Sequence, residues 1–234
     1  MRLPIVVSPG IIEDAASWSA VLDPLGYPIN LVENRGVTVE EIALDLLAQA
    51  PRRFIMFGHS LGGYVALQVA LAAPERVAGL VLVSTSARPE SMVAREARSA
   101  LIEAAGADFD SVVQRLARAA LARANRPSLS PAVAAMMHDQ GRDRFAREQA
   151  AAASRPEFAS RLGKLTCPVL VVTGTEDAVI DPAASEELAQ AIAGACMVRL
   201  EGCGHMPQFE QPAALCQSLG NWLQACVTKA SHSR

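Results

Sequence analysis

A serine lies between two glycines in the segment Gly58-His59-Ser60-Leu61-Gly62. The segment follows an apolar run at residues 53–58 and precedes an apolar stretch with helical spacing. Glycines two positions before and after a turn residue let the neighbouring backbone approach closely, which raises the side chain of that residue above the end of the strand. The N–H of the next residue would then face a developing oxyanion. The pattern predicts that Ser60 is a nucleophile at a strand-to-helix turn, with Leu61 as one oxyanion donor.

A serine nucleophile needs a base, and the sequence offers four histidines. His205 lies in a glycine-rich segment after the last strand-like run, from which a loop could reach the serine. His59 is adjacent to the serine, so its side chain is expected to point elsewhere and to have a structural role. His138 is expected at the surface, and His232 belongs to the C-terminal tail. These positions favour His205 as the base.

An acid that orients the base should lie at the end of another strand. The segment VVTGTEDAVIDP offers Glu176, Asp177 and Asp181. Asp181 precedes Pro182, and an aspartate before a proline at the first helical position is typical of a helix N-cap. Glu176 is closer to the strand end, whereas Asp177 lies further along the loop. The order serine, acid, histidine matches one known triad arrangement, with the choice of acid left open by the residues alone.

Six short apolar runs would have to position these side chains. They alternate with helical patterns and cover residues 3–8, 29–34, 53–58, 77–85, 168–174 and 196–202. Near-continuous apolar runs of this length are typical of strands covered on both faces. Thr38 with Glu41 three residues later predicts a capped helix between the second and third runs. The sequence therefore predicts an α/β fold with an open, mostly parallel, doubly wound sheet of about six strands.

Residues 88–161 contain no strand-like run and read as amphipathic helices. We predict a helical lid here, inserted after the strand at residues 77–85 into a core made of residues 1–87 and 162–234. The insertion follows the carboxyl end of a strand, where open α/β sheets bind ligands. Most of its large apolar residues are expected in a core and a few at a pocket: Met92, Leu101, Ile102, Phe109, Leu116, Met136, Met137 and Phe145.

The arginines of residues 88–161 are interleaved with acidic residues, which favours a solvated face over an anion-binding site. If one arginine does face the pocket, a substrate that carries a carboxylate becomes the better hypothesis. For the whole chain, a net charge of −3 and a pI of about 5.8 argue against a nucleic-acid partner. The five cysteines include no CxxC pair and predict no metal site.

The N-terminus has only a very short apolar run interrupted by a proline. This run is too short for a signal sequence or a membrane span. We therefore expect a cytoplasmic protein with no membrane partner, present as a monomer or homodimer.

The segments GHSLGG, GTEDAVIDP and GCGHMPQFEQP, in this order, resemble the α/β-hydrolase superfamily over essentially the whole chain. The likeness is to its small lidded branch of serine esterases and enol-lactonases. It implies Asp177 as the acid, with Asp181 as the alternative, and the N–H of Ile11 as the second oxyanion donor. The chain departs from the family in carrying Pro9 where a histidine precedes Gly10. The antiparallel leading hairpin of the family is also expected to be missing.

The resemblance implies a carboxylesterase-like serine hydrolase that cleaves a small to medium, mainly apolar carboxylic ester through an acyl-enzyme. This chemistry needs neither a cofactor nor a metal. Haloalkane dehalogenases and epoxide hydrolases of the superfamily use an aspartate nucleophile, so the serine argues against both. Hydrolysis of an enol-lactone or of a carbon–carbon bond by the same triad is the alternative. A non-catalytic small-molecule receptor is a third hypothesis.

Overall fold

A single sheet of six strands forms the centre of the structure, a computed structural model that describes residues 2–231, with side chains to residue 225. All six strands are parallel, in the order β2-β1-β3-β4-β5-β6. They are β1 Ile5–Ser8, β2 Ile29–Leu31, β3 Phe54–His59, β4 Val77–Val83, β5 Val169–Gly174 and β6 Cys196–Leu200. The predicted fold class is confirmed. The strand order reverses between β1 and β3, and open α/β sheets bind ligands at such a switch point.

Helices cover both faces of this sheet. Alternate residues of β3 point to opposite sides, so Phe54 and Met56 pack beneath α2, α3 and α8, while Ile55 and Phe57 face α1 and α10. The helices are α1 Ser19–Leu22, α2 Val39–Gln49, α3 Leu61–Ala72, α4 Met92–Ala107, α5 Phe109–Ala119, α6 Arg126–Gln140, α7 Arg142–Ala153, α8 Pro182–Ala191, α9 Pro207–Glu210 and α10 Pro212–Ser231. The four inner strands β1, β3, β4 and β5 are buried on both faces, which explains why their sequences are almost continuously apolar, whereas the edge strands β2 and β6 are partly exposed.

Helix starts follow the predicted caps. Thr38 Oγ1 accepts a hydrogen bond from the N–H of Glu41 at the start of α2. Asp181 accepts one from the N–H of Ala183, with Pro182 at the first position of α8. A cap of this kind satisfies a backbone donor that the helix itself leaves unpaired.

Helices α4 to α7 stand between β4 and β5 in the chain and pack around an apolar cluster of their own. The cluster includes Val112, Val133 and Phe145, and it also takes in Ile12 and Met206 from loops at the sheet edge. These helices therefore rest on the carboxyl ends of the strands. Their action as a lid stays a prediction. Within residues 2–231, no helix combines the length and the apolar character needed to cross a membrane.

Candidate active site

The turn after β3 holds Ser60 in an unusual backbone conformation, with φ 53° and ψ −115°. A side chain at Gly58 or Gly62 would collide with neighbouring backbone, because an added Cβ would lie 2.1 Å from the Gly62 oxygen or 1.9 Å from the Ser8 oxygen. The two glycines thus let α3 begin directly at the strand end and against β1. Leu61 is the first residue of α3, so its N–H has no acceptor within the helix.

Ser60, His205 and Asp177 form a continuous chain of contacts. Ser60 Oγ lies 3.0 Å from His205 Nε2, and His205 Nδ1 lies 2.8 Å from Asp177 Oδ2. Because a carboxylate can only accept, Nδ1 carries the proton and Nε2 is free to accept the serine hydrogen. The structure brings together the three side chains that the sequence singled out for catalysis.

Asp177 is buried, and its second oxygen accepts hydrogen bonds from the N–H groups of Val179 and Ile180, both at 2.9 Å. Burial alone would raise the pKa of Asp177. The neighbouring His205 and the two backbone donors outweigh that effect and hold the pKa below its usual value. Asp177 is therefore ionised near neutral pH and can stabilise a charged imidazole.

The other two acidic candidates have different places. Asp181 is exposed and caps α8, and Glu176 is exposed in the loop. The backbone of His205 is fixed separately, because its N–H donates to the Ala120 oxygen at 2.7 Å. Asp177 is thus the residue that the geometry supports as the acid.

The loop after β1 places a backbone N–H opposite the strand-to-helix turn at Ser60, which we call the elbow. Gly10 N–H donates to Glu13 Oε2 at 2.8 Å, and Ile12 N–H donates to Glu148 Oε2 at 2.5 Å. The N–H of Ile11, between them, has no hydrogen-bond partner among the residues that the structure describes. Pro9 is held through its carbonyl, which accepts from Asn34 Nδ2 at 2.9 Å. The loop keeps a defined shape without the histidine of the family pattern.

Beneath the site lies a buried pair, Glu13 and His59. The sequence predicted a structural role for His59, but it did not indicate Glu13 as its partner. Their side chains are 2.7 Å apart and 2% and 0% exposed. Glu13 also accepts from Trp18 Nε1 at 3.2 Å, and His59 Nε2 lies 2.8 Å from the His205 carbonyl oxygen. Both ring nitrogens of His59 therefore face acceptors, an arrangement that suits an imidazolium.

Burial opposes charge on both members of this pair. For Glu13 it would raise the pKa, but His59 and the Gly10 N–H lower it below the usual value of 4.5. For His59 burial would lower the pKa, but Glu13 raises it above the usual value of 6.5. Both shifts favour the charged pair of carboxylate and imidazolium, and the pair links the loop after β1 to the backbone of His205.

Helix α7 holds the same loop from the other side. Arg144 and Glu148 lie one turn apart on α7, with Arg144 Nε 2.9 Å from Glu148 Oε1. Arg144 donates to the Glu13 carbonyl oxygen at 2.8 Å, while Glu148 accepts from Ile12. We refer to Arg144 and Glu148 as the α7 clamp. A pattern of arginine and glutamate four residues apart is common on exposed helices, so this role could not be predicted from the sequence.

A cavity of about 390 Å³ opens above Ser60 and His205. Its lining is mostly apolar and includes Ile11, Leu101, Leu116, Met137 and Ile180. The expectation that a few apolar residues of 88–161 face a pocket thus applies to Leu101, Leu116 and Met137, whereas Phe145 is buried in a core and Met92 is 73% exposed. Of the remaining candidate bases, His138 is exposed beside Asp110, and His232 lies outside the described residues.

Similarity to known proteins identifies the family of this chain. Residues 12–218 match the model of the alpha/beta hydrolase family. The chain belongs to this family. The alpha/beta hydrolase is 30% identical to a Variovorax paradoxus protein named carbamate hydrolase RutD, over 94% of this chain and 91% of the relative. It is 31% identical to the pimeloyl-[acyl-carrier protein] methyl ester esterase of Aromatoleum aromaticum, over 76% and 77%.

Solved structures give the same fold for this hydrolase. A thermophilic esterase from Thermogutta terrifontis superimposes with a TM-score of 0.85 at 26% identity, covering 97% of this chain and 91% of the esterase. An enol-lactonase from Burkholderia xenovorans LB400 superimposes with a TM-score of 0.83 at 23% identity, covering 96% and 92%. At that lower identity the second likeness is one of fold.

Proposed function

We propose that the protein is a serine ester hydrolase that cleaves a small to medium, mainly apolar carboxylic ester. The main support for this proposal is that Ser60 contacts His205, and His205 contacts Asp177, at the base of an apolar cavity. A hydroxyl aligned with a base, and a base aligned with a buried carboxylate, is the arrangement that activates serine for acyl transfer.

In the first half-reaction, Ser60 Oγ attacks the ester carbonyl carbon while its proton moves to His205 Nε2. The carbonyl oxygen becomes an oxyanion, which the N–H groups of Leu61 and Ile11 bind. One such donor is worth about 3–4 kcal/mol of transition-state stabilisation in related sites. The C–O bond then breaks, and the imidazolium of His205 protonates the leaving alcohol.

In the second half-reaction, water gives a proton to His205 and its oxygen attacks the acyl-enzyme. The tetrahedral intermediate collapses, Ser60 leaves and regains its proton, and the carboxylic acid is released. Asp177 stays ionised throughout and stabilises the charged form of His205. No step requires a group from outside the chain other than water.

The proposed substrate class follows from the cavity. Aliphatic side chains from α4, α5 and α6 line it, and helices α4 to α7 would act as a lid that excludes water. The names of two relatives, a methyl ester esterase and a thermophilic esterase, support an ester. An ester with an apolar acyl part is the substrate that suits this lining.

A series of p-nitrophenyl esters with acyl chains of rising length tests the proposal. We expect the wild-type protein to hydrolyse the short and medium members, and the Ser60→Ala variant to lose at least about a thousandfold in kcat. If the wild-type protein hydrolysed none of these esters, the hypothesis of a receptor that binds a small molecule without turnover would be favoured. Full activity in the Ser60→Ala variant would rule out a mechanism in which Ser60 is the nucleophile.

A matched pair of variants tests which aspartate is the acid that orients His205. Asp177→Asn should lower kcat by about ten thousandfold, because the amide favours the wrong tautomer of His205. Asp181→Asn retains a good capping residue at an exposed position and should leave kcat near the wild-type value. A large loss in the second variant alone would reverse the assignment.

A carbamate is the second candidate substrate, because relatives at about 30% identity are named carbamate hydrolase. The same serine attack would apply, with the carbamate carbonyl in place of the ester. Rates for a p-nitrophenyl carbamate and an enol-lactone, measured beside the ester series, would rank the three classes. A higher kcat/KM for either one would replace the ester as the substrate class.

A further inference from the structure

One wall of the apolar cavity carries charge. Glu90, Arg98, Gln149 and Tyr64 all line the cavity that contains Ser60, and Arg155 packs behind them, 4.7 Å above the Tyr64 ring. We call these five residues the Arg98 cluster. None of them belongs to the Ser60–His205–Asp177 chain, and the acyl-transfer mechanism does not use them.

The Arg98 cluster has an excess of positive charge. The Glu90 side chain is 1% exposed and contacts two guanidinium groups: it lies 3.0 Å from Arg98 Nε, and it also pairs with Arg155. Two arginines share one buried carboxylate, so one positive charge is left without a counter-ion within the cluster. A charge in a largely apolar cavity is costly unless a partner of opposite charge reaches it.

Arg98 lines the cavity and has N–H groups that no other residue uses. Its Nε donates to Glu90, and its Nη1 donates to Gln149 Oε1 at 2.5 Å. Among residues 2–231, its Nη2 group has no hydrogen-bond partner. A guanidinium fixed on two sides presents its remaining N–H groups in one direction, and this planar arrangement matches a carboxylate.

The sequence of α4 leaves room in front of this guanidinium. The residues of α4 that line the cavity are Ala94, Ala97, Arg98 and Leu101, which share one helix face. Two of them are alanines, so the Arg98 side chain is not covered by its neighbours and is 22% exposed. Tyr64 lies in the first turn of α3, four residues after Ser60, which precedes the helix. The cluster is therefore beside the nucleophile and not at a remote surface.

We propose that the Arg98 cluster is a carboxylate subsite, and that the preferred substrate is an ester whose acyl chain ends in a second, ionised carboxylate. The half-ester of a dicarboxylic acid has this chemistry. Its ester carbonyl would lie at Ser60, its methylene chain would contact Leu101 and Leu116, and its carboxylate would accept from Arg98 Nη2. This inference rests on the proposed ester hydrolysis and adds a substrate class to it.

The test compares two p-nitrophenyl esters of equal acyl length at pH 7.5, the hydrogen glutarate and the neutral valerate. For the wild type we expect kcat/KM to be at least about tenfold higher for the glutarate, since a good charge-assisted contact is worth more than this factor. In Arg98→Gln the ratio should fall to near one. Arg95→Gln, an exposed arginine of the same helix outside the cavity lining, is the matched control and should keep the wild-type ratio.

A ratio at or below one in the wild type would overturn the subsite while leaving ester hydrolysis intact. A wild-type ratio retained by a folded Arg98→Gln variant would also overturn it. If the wild type hydrolyses neither ester, the proposed ester hydrolysis is wrong. The carboxylate subsite can then still be tested by measuring ligand binding. Calorimetry with the non-hydrolysing Ser60→Ala variant should then show tighter binding of monoethyl glutarate than of ethyl valerate, and equal binding would end the proposal.

Discussion

The elbow after β3 and the loop after β1 face each other across the switch point of the sheet, and they are held in place by different means. Backbone packing fixes the elbow: Gly58 approaches Gly62, and Gly62 approaches Ser8. Side chains fix the loop: Glu13 lies within it, whereas Asn34 and Glu148 reach it from distant positions in the sequence. The proposed nucleophile thus depends on a few consecutive residues. The proposed oxyanion donor at Ile11 depends on the neighbouring contact of Ile12 with Glu148, which spans 136 positions of the chain.

The largest expected effect comes from breaking the contact between the two regions. Gly62→Ala would place a Cβ against the carbonyl of Ser8, and backbone cannot move aside as a flexible side chain can. We expect a loss of about 3 kcal/mol or more in the free energy of unfolding. We also expect at least about a hundredfold loss in kcat/KM, because the donors of Leu61 and Ile11 would separate. Denaturant unfolding and ester hydrolysis measure the two effects.

Gly106→Ala is the matched control for this substitution. An added Cβ at this position of α4 has no neighbouring atom within 4 Å. The free energy of unfolding should stay the same or rise by up to about 1 kcal/mol, because alanine favours the helix. Equal behaviour of the two variants would refute the close approach at Gly62.

The next effect concerns the loop alone. Glu13→Gln keeps the size of the side chain but leaves the buried His59 imidazolium without its counter-ion. Removal of one partner of a buried ion pair costs about 3–5 kcal/mol. Urea titration at pH 6 should show this loss. Activity should also fall, because a glutamine can accept from only one of Gly10 and His59, and both contacts position the loop and the His205 backbone. A loss below about 1 kcal/mol would mean that the pair is not ionised.

A smaller effect is expected at the α7 clamp. Glu148→Ala leaves the N–H of Ile12 without its acceptor, so the neighbouring N–H of Ile11 should shift and kcat should fall by about tenfold or more. Glu148→Gln keeps an acceptor oxygen at the same place and should retain most of the activity. Since Glu148 is not among the residues that line the cavity, KM should change little in both variants. Equal losses in the two variants would show that charge and not the hydrogen bond matters.

The smallest effect is a pH dependence of stability. Glu13 has a folded-state pKa below 4.5, so its contribution is present above pH 4.5 and is lost as the pH falls through the folded-state value. His59 has a folded-state pKa above 6.5, so its contribution is complete below pH 6.5 and is lost as the pH rises through the folded-state value. The difference in unfolding free energy between wild type and Glu13→Gln should therefore be greatest between these limits. A difference that stays constant from pH 4 to pH 9 would contradict the ionised pair.

The comparison of the two regions also explains what could be predicted from the sequence. The elbow is local: two glycines, a serine and the flanking strand and helix are consecutive, so the pattern was sufficient. The six strands and the cap at Asp181 are local in the same sense. Glu13, Glu148 and Arg98 gave no such indication, because their roles arise only when the loop after β1, α4 and α7 meet. Their types, acidic and basic residues in helical or loop segments, are typical of a solvated surface.

The α7 clamp also limits which helices can be exchanged with those of a related protein. A chimera that replaces all of α4 to α7 with the corresponding helices of a relative, in order to change substrate preference, would remove Arg144 and Glu148 with them. Such a chimera would retain a well-formed nucleophile but would release the loop on which Ile11 sits. Exchange of α4 and α5 alone, with the junction placed before α7, would preserve the clamp and allow the cavity to be redesigned.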